Sequence, residues 1–250
     1  MKYNWLIISF LLLAVTSFAQ DYSWRAVPMD GSRTASSLVP EKCSAAHRVA
    51  EIIEQAQPAM ARVKAVIGHS VAEFSKEYPE SGLSNWTVDT IMDRVSELSG
   101  RKVDVGFANF GGIRVDMPSG DIMLDDILSM FPFRNNLVLL EHKGKTIREV
   151  IGKMASTSFQ PIGGMKVTVE DGEVVSLTIG GEPLDDDKVY TVATNTFLLN
   201  GGDGLFLSKG AISEKIFDEL VVDAMLQDIR KLAEKGVSFD CKPDGRVIIR

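Results

Sequence analysis

Histidine and cysteine are nearly absent from this sequence, and each scarcity excludes a class of chemistry. A binuclear metal centre draws several nitrogen and oxygen ligands to each ion. The chain offers only His47, His69 and His142, none at i, i+2 or i, i+4 spacing to another and none in an Asp-x-His or Gly-Asn-His pattern. Surface or structural roles suit all three. No Gly-x-Ser-x-Gly elbow, Walker loop or Gly-x-Gly-x-x-Gly fingerprint occurs either. The expectation is a chain with no catalytic residues and no metal site of its own. Cys43 and Cys241 are the only thiols. An oxidising compartment permits a long-range disulfide between them, and two separate thiols fit the sequence equally.

A basic excess is also missing. The formal net charge is −7, which argues against a surface for nucleic-acid polymers but leaves room for a small anion held by an arginine. The one long apolar run is Trp5 to Val15, after Met1-Lys2 and before Ser17-Phe18-Ala19. It is short for a bilayer span and reads as a signal peptide over 1–19, cleaved after Ala19. The expected product is exported, to the periplasm or cell surface, with no membrane attachment after cleavage. Residues 20–41, with Pro28, Gly31 and Pro40, read as an extended arm or linker, and 42–250 as one domain.

Within that domain, apolar spacing from Cys43 to Ile67 predicts a helix that Pro58 kinks or splits. A second helix is expected from Ser84 to Leu98, stopped by Gly100. Val103–Ala108 predicts a strand, Leu124–Met130 a short helix, Asn136–Glu141 a strand and Lys145–Met154 a helix. Lys166–Val169 and Val174–Ile179 flank Asp171-Gly172, a hairpin signal. Val189–Ala193 predicts a strand, Ser213–Lys235 one long helix and Arg246–Ile249 a last strand. Interleaved strands and helices with a hairpin give an α+β class, a mixed sheet flanked by helices.

Three segments carry candidate chemistry. Asn109-Phe110-Gly111-Gly112-Ile113-Arg114 ends a strand in a loop whose backbone can approach a ligand while Arg114 grips an anion. Phe131-Pro132-Phe133-Arg134-Asn135-Asn136 sets an aromatic at a loop edge, where Phe133 can stack on a flat ligand and Asn135 can read its edge. Thr194-Asn195-Thr196-Phe197 leads to Asn200-Gly201-Gly202-Asp203-Gly204, where an aspartate among glycines suits vicinal hydroxyls. Taken singly, a surface Gly-Gly turn, a pair of core phenylalanines and a plain Gly-Asp turn explain these segments as well.

Their order and wording together resemble the C-terminal domain of the 5′-nucleotidase family, with its Asn-Gly-Gly-Gly-Ile-Arg-like loop, Pro-Phe-x-Asn element and Thr-Asn-x-Phe followed by Gly-Gly-Asp-Gly. Glu80-Ser81-Gly82-Leu83-Ser84-Asn85-Trp86 resembles the family's Glu-Ser-Pro-Leu-Gly-Asn-Leu helix start, and Gly181-Glu182-Pro183-Leu184 with Lys188-Val189-Tyr190 its run before the last motif. The likeness covers Val66 to Leu207 and the terminal Gly245-Arg246. It implies that Phe133 and Phe197 sandwich a nucleobase, Asn135 touches the base, Asp203 holds the ribose hydroxyls, and Arg114, Asn109 and Gly112 belong to the substrate site.

Two departures stand out. Phe110 occupies a family glycine position, and Phe74-Ser75-Lys76-Glu77-Tyr78-Pro79 offers only Lys76 where the family often has arginines, so a weaker grip on a substrate anion is expected. The family's hydrolytic chemistry resides on a metallophosphatase domain, for which residues 20–65 supply nothing. The expectation is therefore the nucleoside- or nucleotide-binding half of a split 5′-nucleotidase, inactive until a separately encoded metallophosphatase carrying divalent metals joins it. The alternatives are an exported nucleoside-binding module without a catalytic role, and a stand-alone enzyme with a centre not legible in the sequence.

Overall fold

A computed structural model describes residues 45–250. The expected signal peptide, the arm of residues 20–41 and the Cys43 half of the cysteine pair lie outside the described residues. The chain divides into two compact units between Glu54 and Gln55. The described part of the first is the start of helix α1 (Ala45–Val63); the second holds the sheets. Pro58 does not split α1, which runs through it without the hydrogen bond that proline cannot donate. The helix ends before Ile67, because β1 (Val66–Ser70) pairs with a later strand instead.

In order follow α2 (Gly82–Ser99), β2 (Val105–Phe107), β3 (Gly120–Met123), α3 (Leu124–Met130), β4 (Asn136–Lys143) and α4 (Gly144–Ser156). Then come β5 (Ile162–Gly163), β6 (Met165–Glu170), β7 (Glu173–Ile179), β8 (Glu182–Pro183) and β9 (Val189–Asn195). The chain finishes with α5 (Thr196–Leu199), β10 (Ser213–Leu220), α6 (Val221–Glu234) and β11 (Val247–Ile249). Five strands form a mixed sheet in the order β10-β4-β9-β2-β5, with β2 and β9 parallel and the other pairs antiparallel. A smaller sheet runs β11-β6-β7-β8, and β1 pairs with β3.

Alternation along β4 shows why the large sheet sits in the middle. Leu137 and Leu139 join a cluster built by α2, α3 and α6, while Val138 and Leu140 join one built by α4, β6 and β7. Successive side chains leave a strand on opposite faces, so a strand apolar at every position is buried on both. Helix α2 lies directly on the sheet at Gly106. A Cβ there would stand 2.6 Å from the Met92 side chain, so glycine is what permits the approach.

The Glu80–Trp86 segment has a structural task. Ser81 and Ser84 form a reciprocal capping box at the start of α2. The Glu80 carboxylate accepts from Asn85 Nδ2 (2.7 Å) and from the backbone N–H groups of Asp244 (2.7 Å), Gly245 (3.1 Å) and Val247 (3.1 Å). Beside it the buried Arg246 guanidinium donates to both Asp89 oxygens (2.7 and 2.9 Å) and to Asp244 (2.8 Å). Arg246 holds the Asp244 carboxyl below the usual carboxylate range. The start of α2 and the entry to β11 are thus joined by charge-assisted bonds.

The expected helix from Ser213 to Lys235 is corrected. Its first part is β10, and only Val221–Glu234 is helical. Glu214, Lys215 and Glu219 favour a helix by local propensity, but the free edge of β4 offers a ladder that Ser213–Ile216 and Leu220 fill. The charges of Glu214, Lys215 and Asp218 are exposed on this edge strand, where they discourage further pairing, while Glu219 is bonded by Arg94 of α2 (2.6 and 2.7 Å). The Asp-Gly hairpin forms as expected, with Asp171 at φ 49° and Gly172 at φ 80°. Gly100 caps α2 in the left-handed region at φ 67°.

Two stability predictions follow from buried groups. Arg246→Met strips Asp89 and Asp244 of their shared cation, and should lower unfolding free energy by about 2–4 kcal/mol in urea titrations. His142 is 2% exposed and lies 2.9 Å through Nε2 from the Leu207 carbonyl; burial pushes its pKa below the ordinary value of 6.5. The unfolded imidazole takes up a proton near pH 6.5, the folded one only at lower pH, so the unfolded state binds more protons in that window. Stability should therefore fall as pH drops below about 6.5, and His142→Gln should flatten that slope in thermal melts.

Candidate functional site

The sheet register brings the three candidate segments to one end of the molecule. β4 and β9 run antiparallel with Leu137 opposite Asn195 and Val138 opposite Thr194. The residues just before β4 therefore meet those just after β9. β2 runs parallel to β9, with Gly106 opposite Ala193, so the loop leaving β2 emerges at the same end. Crevices beyond strand ends, where loops converge on a rigid sheet, are the usual place for ligand sites in such sheets.

Here a narrow cleft opens, with a volume of about 20 Å³, and Asn109, Gly112, Phe133, Asn135, Asn195 and Thr87 are among its walls. Four of these are residues singled out from the sequence. The cleft's amides are tied together. Asn195 Nδ2 donates to Asn109 Oδ1 (3.3 Å), and Asn195 Oδ1 accepts from the Leu198 N–H (3.1 Å), capping α5. Thr196 Oγ1 donates to Asn135 Oδ1 (3.4 Å) and accepts from the Asn136 N–H (3.1 Å). The strand ends are therefore fixed by side chains as well as by the ladder.

Arg114 lies beside this cleft. Its guanidinium carbon is 5.8 Å from the Phe133 ring centroid, and Nη1 donates to the Gly111 carbonyl (3.4 Å). Its backbone N–H donates to Met130 (2.9 Å), which anchors the glycine loop to the end of α3. Phe133 is 47% exposed and Phe197 39% exposed. Both rings are exposed, so of the pair Phe131 and Phe133 that could both have been core, Phe133 is not. Phe131, by contrast, is 5% exposed and packs in the core.

Phe197, in α5, and Asp203, in the turn after it, do not line the narrow cleft. They are connected to it through Asn195 and Thr196. The two glycines before Asp203 seat two rings: a Cβ on Gly202 would lie 2.3 Å from the Phe197 ring, and one on Gly201 2.3 Å from Phe206. Asp203 itself holds φ 49°, a left-handed conformation that few non-glycine residues adopt. Partial burial pushes its carboxyl pKa up. Strained backbone of this kind persists where the surroundings over-determine it, and often at ligand sites.

Lys76 takes a different place from the expected anion grip. Its Nζ donates to the carbonyls of Phe110 (3.3 Å) and Ile113 (2.5 Å), so it clamps the glycine loop from behind. Asn195 and Thr87 line the cleft without having been chosen from the sequence. Neither the α5 cap that Asn195 forms nor its bond to Asn109 is legible in Thr194–Phe197, and Thr87, one turn into α2, carries no sequence signal. Among the described residues no group of three or more His, Cys, Asp or Glu gathers as metal ligands. His69 is exposed and lies 3.2 Å from Asp121.

The profile of the 5′-nucleotidase, C-terminal domain family matches residues 54–209. The chain is 29% identical over 151 residues to protein UshA of Escherichia coli (strain K12), covering 56% of this chain and 28% of UshA. It is 26% identical over 184 residues to the trifunctional nucleotide phosphoesterase protein YfkN of Bacillus subtilis (strain 168), covering 67% of this chain and 12% of YfkN. It therefore spans less than a third of the length of these curated relatives. Among solved structures, a 5′-nucleotidase precursor from Thermus thermophilus superposes with a TM-score of 0.70 at 24% identity, covering 81% of this chain and 43% of the other. Haemophilus influenzae NAD nucleotidase superposes at 0.61 and 18% identity, covering 81% and 41%. These likenesses show a shared fold. With its glycine loop, aromatic loop and Gly-Gly-Asp-Gly turn at one sheet end, and the profile spanning most of the domain, the chain belongs to the 5′-nucleotidase C-terminal domain family.

Proposed function

We propose that this chain is the nucleotide-binding half of a split 5′-nucleotidase, holding base and ribose while a separate metallophosphatase hydrolyses the phosphate. The observation that carries the reading is that the exposed Phe133, with Asn135 and Arg114, lies at the sheet end from which β9 leads on to the exposed Phe197 and to Asp203. A nucleobase lies between the rings, with Asn135 at its edge. The Asp203 carboxylate accepts from the ribose hydroxyls. Arg114, steadied by Gly111 and Phe133, faces the phosphate. Asn109 and Gly112 form the wall against which the ligand rests. In this reading the working site is exported, its divalent metals belong to the partner, and nucleotide breakdown is the process served.

The division of labour is supported by the donor set. Of the histidines, His142 is buried against Leu207 and His69 sits beside a single carboxylate. The chain's role is then to fix the nucleotide so that the phosphate projects toward the partner's metals. Positioning of that kind supplies rate by removing orientational freedom before the chemical step.

Phe197→Ala should weaken nucleoside binding about tenfold, from the usual worth of one stacked base; unchanged affinity by calorimetry would remove Phe197 from the site. Phosphate release from AMP should be undetectable with the purified chain and should appear when an exported metallophosphatase with no nucleotide-binding domain is added. Release by the chain alone, persisting in chelator, would overturn the split arrangement.

A further inference from the structure

Phe206 stands in backbone that glycine would adopt more easily. Its φ is 48°, a left-handed conformation that is an outlier for a bulky side chain. The surroundings hold it there. Leu205 and Leu207 on either side are buried in the cluster that holds Val138 and Leu140. The Leu205 N–H donates to Gly202 (3.1 Å), the Leu207 N–H to Leu198 (3.0 Å), and the Lys209 N–H to Phe206 itself (2.9 Å). Strain that is over-determined in this way, at a residue glycine could replace, points to work done by the side chain.

The ring's contacts say what that work is. It rests where a Cβ of Gly201 would stand. Lys209 Nζ lies 4.3 Å and Lys153 Nζ 5.9 Å from its centroid, both within reach of a cation–π attraction. Lys153, from α4, also donates to the Gly204 carbonyl. Gly201 and Gly204 are the two ends of the turn that carries Asp203, closed by the Gly204 N–H on the Gly201 carbonyl (3.0 Å). The Phe206 ring therefore bears on the first residue of that turn, and a cation beside the ring holds the last. Phe197 rests on Gly202 in the same turn. The nucleotide reading uses Phe197 and Asp203 and leaves Phe206 without a role.

We propose that Phe206 is the positioning residue for Asp203, and through it sets the selectivity of the chain for ligands with a vicinal diol. The inference rests on the nucleotide reading, in which Asp203 accepts from the ribose hydroxyls. Two hydroxyls on adjacent carbons engage both oxygens of a carboxylate only in a narrow range of orientations. Asp203 is itself at φ 49°, so its direction depends on the turn keeping that backbone. The ring on Gly201 and the Lys153 bond to Gly204 fix both ends of it. Without the ring the turn gains freedom, and the second hydrogen bond to the diol is lost first. The cost falls on ligands that carry the diol and spares those that lack it.

Calorimetry on the purified chain with adenosine and 2′,3′-dideoxyadenosine tests this, because the two differ only by the hydroxyl pair. Adenosine should bind the unaltered chain about tenfold or more tightly, as hydrogen bonds to a charged group predict. Asp203→Asn should lower that ratio to about twofold, and Phe206→Ala should lower it as far while leaving dideoxyadenosine affinity within about twofold. Phe206→Tyr keeps the ring and should keep the ratio. Phe206→Gly relieves the left-handed strain, so it carries the test should the alanine variant not fold. Adding Phe206→Ala to Asp203→Asn should lower the ratio no further, since one residue acts through the other. A ratio unchanged in the alanine and glycine variants, or an equal loss for both ligands, overturns the positioning role and leaves the ring as packing. Adenosine failing to bind the unaltered chain removes the nucleotide reading itself, and a ratio near one there removes Asp203 from the ribose and the proposal with it.

Discussion

The pairing of β4 with β9 is the constraint on which the rest of the domain depends. Seven residue pairs run from Leu137 opposite Asn195 to Lys143 opposite Val189, and both strands are buried over most of their length. A shift of one residue would move Leu137 and Leu139 into the cluster now holding Val138 and Leu140, so burial on both faces fixes the register. The same register places Asn135 beside Thr196 and brings Phe133 to the loop that follows β9. Site geometry is in this sense a by-product of core packing: the aromatic loops stand where they do because the strands beneath them cannot slide.

Much of the fold is legible in the sequence because its signals are local. Asp171-Gly172 demands left-handed backbone and sits in it; Gly100 ends α2; the apolar run from Asn136 onward suits only a buried strand or a short buried helix. The Ser213–Leu220 segment is not legible, because its charged residues favour a helix and only the unfilled edge of β4, distant in sequence, makes it a strand. β1 and β3 escape detection for a similar reason. Each is short, and each gains its hydrogen bonds from the other across some fifty residues of chain. Pro58 promises more disruption than it delivers, since a helix tolerates the loss of one hydrogen bond.

The site is legible in its composition and less so in its wiring. Phe133, Asn135, Asn109 and Gly112 meet in one cleft, and Arg114 touches Phe133. Sequence alone has no means of showing that Asn195 serves two masters, capping α5 and bonding Asn109. Nor does it show that Lys76 spends its charge on carbonyls. A lysine near a glycine loop looks like an anion grip until the loop's own backbone is seen to present its oxygens to it. The Gly201-Gly202 pair, which in sequence reads as part of a Gly-Asp turn, is also a place where two rings need room. Phe197 and Phe206 each rest where a side chain would stand, so the glycines act by absence of volume.

Glu80 has a consequence for how the domain comes into being. Its carboxylate is the common acceptor for Asn85, at the start of α2, and for three N–H groups between Asp244 and Val247. Synthesis runs from the N-terminus, and long-range contacts close slowly because the intervening chain must first be ordered. Ser81 and Ser84 cap α2 locally, but the tie of Glu80 to the entry of β11 waits for residues 164 positions further along. Until the ribosome delivers them, the growing polypeptide carries α2 with Glu80 bonded to Asn85 but without its three backbone donors. The clasp closes only once the entry to β11 has been made.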